Sequence, residues 1–208
     1  MIEMIEQRSD AWFQARIGKM TASKVADVIA KTKSGYSATR DNYMAQLICE
    51  RLTGDRAEGF TNAAIQHGID TEAYARAAYE ALHDVLVDEV GFVSHPTIEM
   101  AGASPDGLVG DDGLIEIKCP NTSTHIDTLL SESVPTKYFT QMQFQLACTG
   151  RKWCDFVSFD NRLPPELQLF VKRVPRDDVY IRLIEAEIIQ FLAELDDKIN
   201  KLMKVKNV

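Results

Sequence analysis

No stretch of this 208-residue chain approaches the run of about 20 apolar residues that a membrane-spanning helix needs. The acidic opening Met1-Ile2-Glu3-Met4-Ile5-Glu6-Gln7 also lacks the cationic start and apolar run of a secretory signal. We therefore expect a cytoplasmic protein with no membrane partner. Cysteine is scarce: Cys49, Cys119, Cys148 and Cys154 fall at no zinc or iron–sulfur spacing, and four free thiols suit a reducing compartment. Neither a Gly-rich phosphate loop nor a Ser-His-Asp or Cys-His arrangement is present, so no side-chain nucleophile stands out. Positive charge is in deficit, with 23 Lys and Arg against 31 Asp and Glu and a net charge of −8. That balance argues against a general nucleic-acid coat, whose affinity rests on cations. It does not exclude a nuclease, since metal ions screen carboxylates and basic residues can concentrate locally. No repeat or linker divides the chain, and 208 residues are short for two cores, so one domain spanning 1–208 is expected.

The most informative stretch runs from Ala103 to Pro120, A-S-P-D-G-L-V-G-D-D-G-L-I-E-I-K-C-P. Leu114 to Cys119 alternates as a strand with one buried face, which puts Glu116 and Lys118 on the same side. Asp106 lies ten residues before Glu116 in a Ser-Pro-Asp-Gly turn sequence, with Gly110-Asp111-Asp112-Gly113 between them. The two arms fold as a hairpin and bring the carboxylates of Asp106 and Glu116 together beside an ammonium group. Two anions in a low-dielectric place call for a cation, and oxygen donors suit Mg²⁺ or Mn²⁺. Glu-x-Lys along a strand also describes a plain surface ion pair, so the motif needs its context.

Before the hairpin, Ser9 is placed to cap a helix over 10–17 and Thr21 a second helix holding Val25, Val28 and Ile29. Arg16, Lys19, Thr21, Ser23 and Lys24 cluster at these ends and suggest a phosphate-sized anion site. A basic loop, Lys31 to Ser37, leads to helices over 39–52 and 62–82. The second of these carries His67, Gly68 and Glu72, and a glycine inside a helix suggests a close approach. Strands are expected over 85–95, 98–109 and 114–119. A helix over 136–148 holding Gln141 follows, then strands over 152–160 and 167–174, the last at an edge. An amphipathic helix over 176–205 ends the chain. The expected fold is α/β (α+β): a mixed central β-sheet flanked by helices, with N-terminal helices over 9–54, a core over 62–160 and the C-terminal helix.

This order lets Glu72, Asp106, Glu116, Lys118 and Gln141 meet at one end of the sheet. The set fits metal-dependent phosphodiester hydrolysis, with carboxylates holding one or two ions and the lysine orienting water or stabilising developing charge.

On these residues the chain resembles the PD-(D/E)xK restriction-endonuclease-like nucleases. More narrowly, Asp10-Ala-Trp…Arg16-x-Gly18-x-x-Thr21-Ala22-Ser23, Gly68-x-x-x-Glu72, Ser104-Pro105-Asp106-Gly107, Glu116-Ile-Lys118-Cys119-Pro120-x-Thr122-Ser123 and Gln141-x-Gln143 resemble the phage lambda exonuclease, or YqaJ-like viral recombinase, family. The resemblance implies a restriction-endonuclease-like core and a processive, Mg²⁺-dependent 5′-to-3′ exonuclease on linear double-stranded DNA, with Mn²⁺ able to substitute and two metals in the site. It further implies release of 5′-mononucleotides, a homotrimer ring, and a 3′ single strand left for an annealing protein of phage or prophage recombination in a bacterial host. Carried over by position, Asp106, Glu116 and the Ile117 carbonyl are metal ligands, Lys118 is the catalytic lysine, and Glu72 and Gln141 orient water or lysine. Arg16, Ser23 and Ser104, with Thr21 beside them, match the 5′-phosphate pocket. Ile65 matches an apolar wedge between end base pairs, and Lys33 a DNA-facing basic loop. Thr124 departs from the pattern, standing where the family has a basic side chain. So does His67, which replaces a bulky aromatic and is a candidate for metal ligation or for supporting a ligand. A structure-specific or restriction-type endonuclease on the same core, or a non-catalytic DNA-end recruitment module, are the alternative readings.

Overall fold

The computed structural model describes residues 6–33, 35–57 and 62–205, so Met1–Ile5 and Ser34 of the stretches named above lie outside it. In chain order the elements are α1 (Asp10–Arg16), β1 (Met20–Thr21), a 3₁₀ turn (Ala22–Lys24), α2 (Val25–Ile29), β2 (Lys31–Thr32), β3 (Gly35–Tyr36), α3 (Ala38–Thr53) and α4 (Ala63–His83). Then come β4 (Val87–Asp88), β5 (Val93–Ser94), β6 (Ala101–Ala103), β7 (Gly107–Val109), β8 (Gly113–Lys118), α5 (Thr122–Ser131), α6 (Thr136–Thr149), β9 (Trp153–Phe159), β10 (Leu169–Pro175) and α7 (Asp178–Val205). The mixed α/β architecture is the one expected.

Local chemistry sets the helix ends. Ser9 and Asn62 accept backbone N–H bonds from Trp12 and Ile65, which starts α1 and α4. Left-handed Gly54 and Gly150 end α3 and α6 at φ 75° and 71°, a conformation that glycine adopts without a Cβ penalty. On α7, Ile181, Ile184, Ile188, Phe191 and Leu195 bury one stripe.

The main sheet has the order β10-β9-β8-β7-β4, with β8 and β9 parallel and the other pairs antiparallel. Leu114 joins the core cluster containing Met142 and Phe144 of α6, whereas Ile115 and Ile117 pack with Ala75 and Tyr79 of α4. Strand β8 is thus covered on both faces. This corrects the one-sided strand expected from its alternation: Gly113 to Ile117 are all buried, because α6 covers one face of this central strand and α4 the other.

Two further expectations need correction. The predicted strands 85–95 and 98–109 each break between two sheets. Val93–Ser94 pairs with Ala101–Ala103, which also pairs with β1, in a small three-stranded sheet, and Val87–Asp88 and Gly107–Val109 pair in the main one. Pro105 has no N–H for a ladder, and the crossing falls at Ser104-Pro105-Asp106. Close packing also requires the flanking glycines, since a Cβ on Gly102 would collide with the Phe92 ring and one on Gly107 with Val87. Thr21, expected as a helix cap, makes no side-chain cap bond. Its backbone is extended (φ −111°, ψ 150°) and pairs with Gly102. The basic loop after Lys31 is a hairpin pinned to α7, where Glu187 accepts from Lys31 Nζ and Tyr36 Oη at 2.6 Å each.

Candidate active site

The β7–β8 register pairs Gly107 with Ile115, so Asp106 and Glu116 meet at the next position, and Asp106 Oδ2 accepts the Ile117 N–H at 2.7 Å. The predicted hairpin is present. Burial, reinforced by the charges of Glu116 and Glu72, pushes the Asp106 carboxyl well above its usual range, against the pull of Lys118. Glu116 is fully buried and accepts three hydrogen bonds. Its Oε1 accepts from Lys118 Nζ and from Gln141 Nε2 (2.6 Å), and its Oε2 from Gln145 Nε2 (2.5 Å). Burial lowers the Lys118 pKa, but the Glu116 and Asp106 carboxylates outweigh it and hold the ammonium above its ordinary value.

Glu72 approaches from α4. Its Oε2 accepts from Arg8 Nη2 at 2.6 Å and its Oε1 lies 3.6 Å from Arg76 Nη2. It lines a cleft of about 480 Å³ with Ile65, Gly68, Ile117, Lys118 and Tyr138. A Cβ on Gly68 would sit 3.8 Å from the Cys119 carbonyl, an ordinary contact, so the expected close approach is not a tight one. Ile65 stands 43% exposed at the rim of this cleft.

On the α1 side, Ser104 Oγ accepts from both Arg16 Nη1 (2.9 Å) and Trp12 Nε1 (3.0 Å), and the guanidinium lies 4.0 Å from the Trp12 ring centroid. Burial, chiefly, lowers the Arg16 pKa to about 10, with the Arg56 charge adding to it. Arg16, Thr21, Ser23 and Ser104 line one cleft of about 180 Å³ together with Asp106, Glu116, Lys118 and Gln141. The anion-binding candidates and the carboxylate–lysine set therefore face the same space.

Lys33 and His67 line neither cleft. Lys33 sits exposed at the tip of the β2–β3 hairpin. His67 lies 3.4 Å from Thr71 Oγ1 through Nδ1, and its buried Nε2 has no partner among the described residues. Thr124 lies in the first turn of α5, where its N–H is capped by Asn121.

Reasoning from sequence missed Arg8, Trp12, Tyr138 and Gln145, all at or around the site. The i, i+4 spacing of Trp12 with Arg16 and of Gln141 with Gln145 was the available signal. Gln7 was missed too; it donates to the carbonyls of Val90 and Pro105 and anchors the crossing.

Asp106 and Glu116 supply two hard carboxylates, and the adjoining Ile117 backbone offers a carbonyl, a donor set that fits a divalent ion. The raised Asp106 carboxyl is the feature that such an ion would reverse. Among the described residues no group of three His, Cys, Asp or Glu stands ready to hold a metal, which leaves the remaining positions to carbonyl and water.

The chain is 53% identical to the alkaline exonuclease LHK-Exo of Laribacter hongkongensis, solved alone and in complex with dAMP. The superpositions cover 96% of this chain and 98% of that one with TM-scores of 0.90 and 0.91. A phage related exonuclease from Haemophilus somnus 129PT shares the fold at 17% identity, with a TM-score of 0.72 over 88% of this chain and 96% of that chain. The uncharacterized protein R354 of Acanthamoeba polyphaga mimivirus is 27% identical over 173 residues, which is 75% of this chain and 29% of the viral protein. The YqaJ-like viral recombinase domain matches residues 11–152, across the α1 cluster, the β7–β8 hairpin and α6, and the chain belongs to that family.

Proposed function

We propose that the protein is a metal-dependent exonuclease that degrades one strand of linear duplex DNA from its 5′ end, one nucleotide at a time. The observation that carries this reading is the single cleft in which Arg16, Ser23 and Ser104 face Asp106, Glu116 and Lys118. Similarity to an alkaline exonuclease over nearly the whole chain supports it.

In the proposed reaction the terminal 5′ phosphate rests on donors from Arg16, Ser23 and the Ser104 hydroxyl, with Thr21 beside them. This places the next phosphodiester against the carboxylates. Gln141 uses its Nε2 on Glu116, which leaves its Oε1 to accept from the attacking water. Arg8 fixes Glu72 to orient the same water from the α4 side. Lys118, held protonated by its neighbours, acts as a cation for the developing phosphorane charge rather than as a base. Mg²⁺, or Mn²⁺ in its place, held as one or two ions by Asp106, Glu116 and the Ile117 carbonyl, would lower the pKa of water and screen the phosphate. Water adds hydroxide to phosphorus, the bond to the first nucleotide's O3′ breaks, and the water's proton ends on that O3′. The strand left behind carries a new 5′ phosphate, which is again a ligand for the Arg16 cleft.

The reading extends to a three-subunit ring around the duplex, which would make the reaction processive, and to delivery of the 3′ strand to an annealing protein in a bacterial cell carrying the phage or prophage. Family membership supports both. A solution mass of three chains is the check on the ring.

The test compares linear duplexes bearing 5′ phosphate or 5′ hydroxyl, and covalently closed circles, with Mg²⁺ or EDTA. Mononucleotides released only with metal, faster from the phosphorylated end, are the expected result. Cut circles assign an endonuclease instead, and no metal-dependent release from any DNA leaves a recruitment module.

A further inference from the structure

Behind Arg16, on the side away from the carboxylates, a second cavity of about 210 Å³ opens beside the catalytic cleft. Trp12, Arg16, Thr21 and Ser23 form the wall common to both. One water needs roughly 10–15 Å³ of such space, so this cavity has room for a multi-atom ligand.

Its charge is opposite to that of the chain. Arg16, Lys19, Lys24 and Arg56 line it against a single anion, Glu50, in a protein of net charge −8. The Glu50 carboxylate is already engaged by the Gly18 N–H at 2.9 Å and Gln46 Nε2 at 2.8 Å. Aromatic faces rather than carboxylates position the cations: Arg16 lies over Trp12 (4.0 Å), Lys19 over Phe92 (5.1 Å), Lys24 over Tyr43 (5.6 Å) and Arg56 over Phe13 (3.8 Å). Of the four, only Lys24 has a carboxylate partner among the described residues, Asp27 at 3.1 Å. Stacking fixes a cation without consuming its N–H donors, so beyond the Arg16 bond to Ser104 and the Lys24 bond to Asp27 they stay available to a ligand. Four convergent cations beside the Thr21, Ser23 and Tyr43 hydroxyls suit a ligand of several linked negative charges better than a lone phosphate.

We propose that this cavity is an oligophosphate subsite that extends the end-recognition cleft. With the first phosphate of a strand against Arg16, Ser23 and Ser104, the outer phosphates of a 5′-di- or triphosphate end are held by Lys19, Lys24 and Arg56. Free pyrophosphate or tripolyphosphate presents the same chemistry. The assignment rests on the reading of the Arg16 cleft as the end-phosphate site, and it widens the substrate class to ends bearing more than one phosphate. Arg56 contributes charge at distance from the reacting atoms, which makes it the residue to change.

Calorimetry in EDTA, which needs no turnover, reads the subsite directly. Tripolyphosphate should bind wild type at least about tenfold more tightly than orthophosphate, and Arg56→Glu should remove that advantage. Arg56→Gln should remove part of it. Equal affinities for the two anions, or an advantage that survives Arg56→Glu, overturn the proposal. A second arm binds duplexes with 5′-mono- or 5′-triphosphate ends in Ca²⁺. Tighter binding of the triphosphate end assigns the subsite to nucleic-acid ends, and tight tripolyphosphate without that preference assigns it to the free ion. Mg²⁺-dependent release from 5′-monophosphate duplex, measured on the same wild-type preparation, reports separately on the proposed function.

Discussion

Strands β8 and β9 each bury a carboxylate, and the protein treats the two in opposite ways. Asp155, paired in register with Ile115, is gripped by a dedicated guanidinium: Arg173 Nε and Nη2 donate at 2.8 and 2.9 Å, and Tyr79 Oη donates at 2.8 Å. Glu116, one residue along, receives two neutral amides and shares its single cation, Lys118, with Asp106. The first arrangement is finished, because charge and hydrogen bonds both balance within the chain. The second sets three carboxylates near one lysine, and burial, reinforced by the Glu116 and Glu72 charges, raises the Asp106 carboxyl. Asp155 is neutralised internally, as a carboxylate that holds a fold together should be, whereas the Asp106–Glu116 pair is left with the imbalance that the proposed metal would neutralise.

The strongest way to break this contrast is to remove each cation. Lys118→Ala should lower single-turnover cleavage by about 10³-fold or more while DNA binding in Ca²⁺ is retained, and a loss confined to binding would remove Lys118 from the chemistry. Arg173→Ala should do the reverse, leaving the specific activity of the folded protein intact. Uncompensating a buried carboxylate costs up to 3–5 kcal/mol, but Arg173 is half exposed, so urea denaturation should show a loss of about 1–3 kcal/mol. Arg16→Ala tests whether the anion cleft belongs with the unfinished region. The preference for 5′-phosphate over 5′-hydroxyl ends should fall by about tenfold, the value of one charged hydrogen bond.

The smallest effect is on pH-dependent stability without metal. A carboxyl whose folded pKa is raised contributes stability below its unfolded pKa and loses it as pH rises through the folded value. Asp106→Asn should therefore melt above wild type in EDTA at neutral pH, by about 2–4 °C, and the gap should close in acid. Asp160 on the finished side has the opposite sign. Burial pushes its pKa up, but the Arg162 hydrogen bonds win and hold it at about 2. Its contribution is present above the ordinary carboxylate range and is lost as pH falls toward 2. Thermal melts of Asp160→Asn across acid pH should show a deficit that shrinks on acidification.

What could be read from the sequence was local. The Asp106–Glu116 meeting follows from alternation plus a Gly-bounded turn, and the ends of α1, α3, α4 and α6 from Ser9, Gly54, Asn62 and Gly150. These signals operate within a few residues of one another. The hidden parts depend on distant pairings. β8 reads as half-buried until α4 and α6 are seen over its two faces, and Thr21 reads as a cap until its strand finds Ala101–Ala103. Gln145 reads as one more core-helix polar residue until Glu116 is placed beneath it. Arg8 reached the site unannounced because its partner, Glu72, lies 64 residues away.

Ser104 and Asp106 are separated only by Pro105, whose ring removes a degree of freedom from the chain between them. Two residues span at most about 7 Å, so the Ser104 hydroxyl, proposed to meet the strand's end, and the Asp106 carboxylate, proposed to meet the cut, are tied at a nearly constant separation. In the proposed reaction this short tie is a gauge. The size of the piece removed is written into one proline-stiffened step of backbone, and lengthening that step by a single residue is the change that would alter the enzyme's stride.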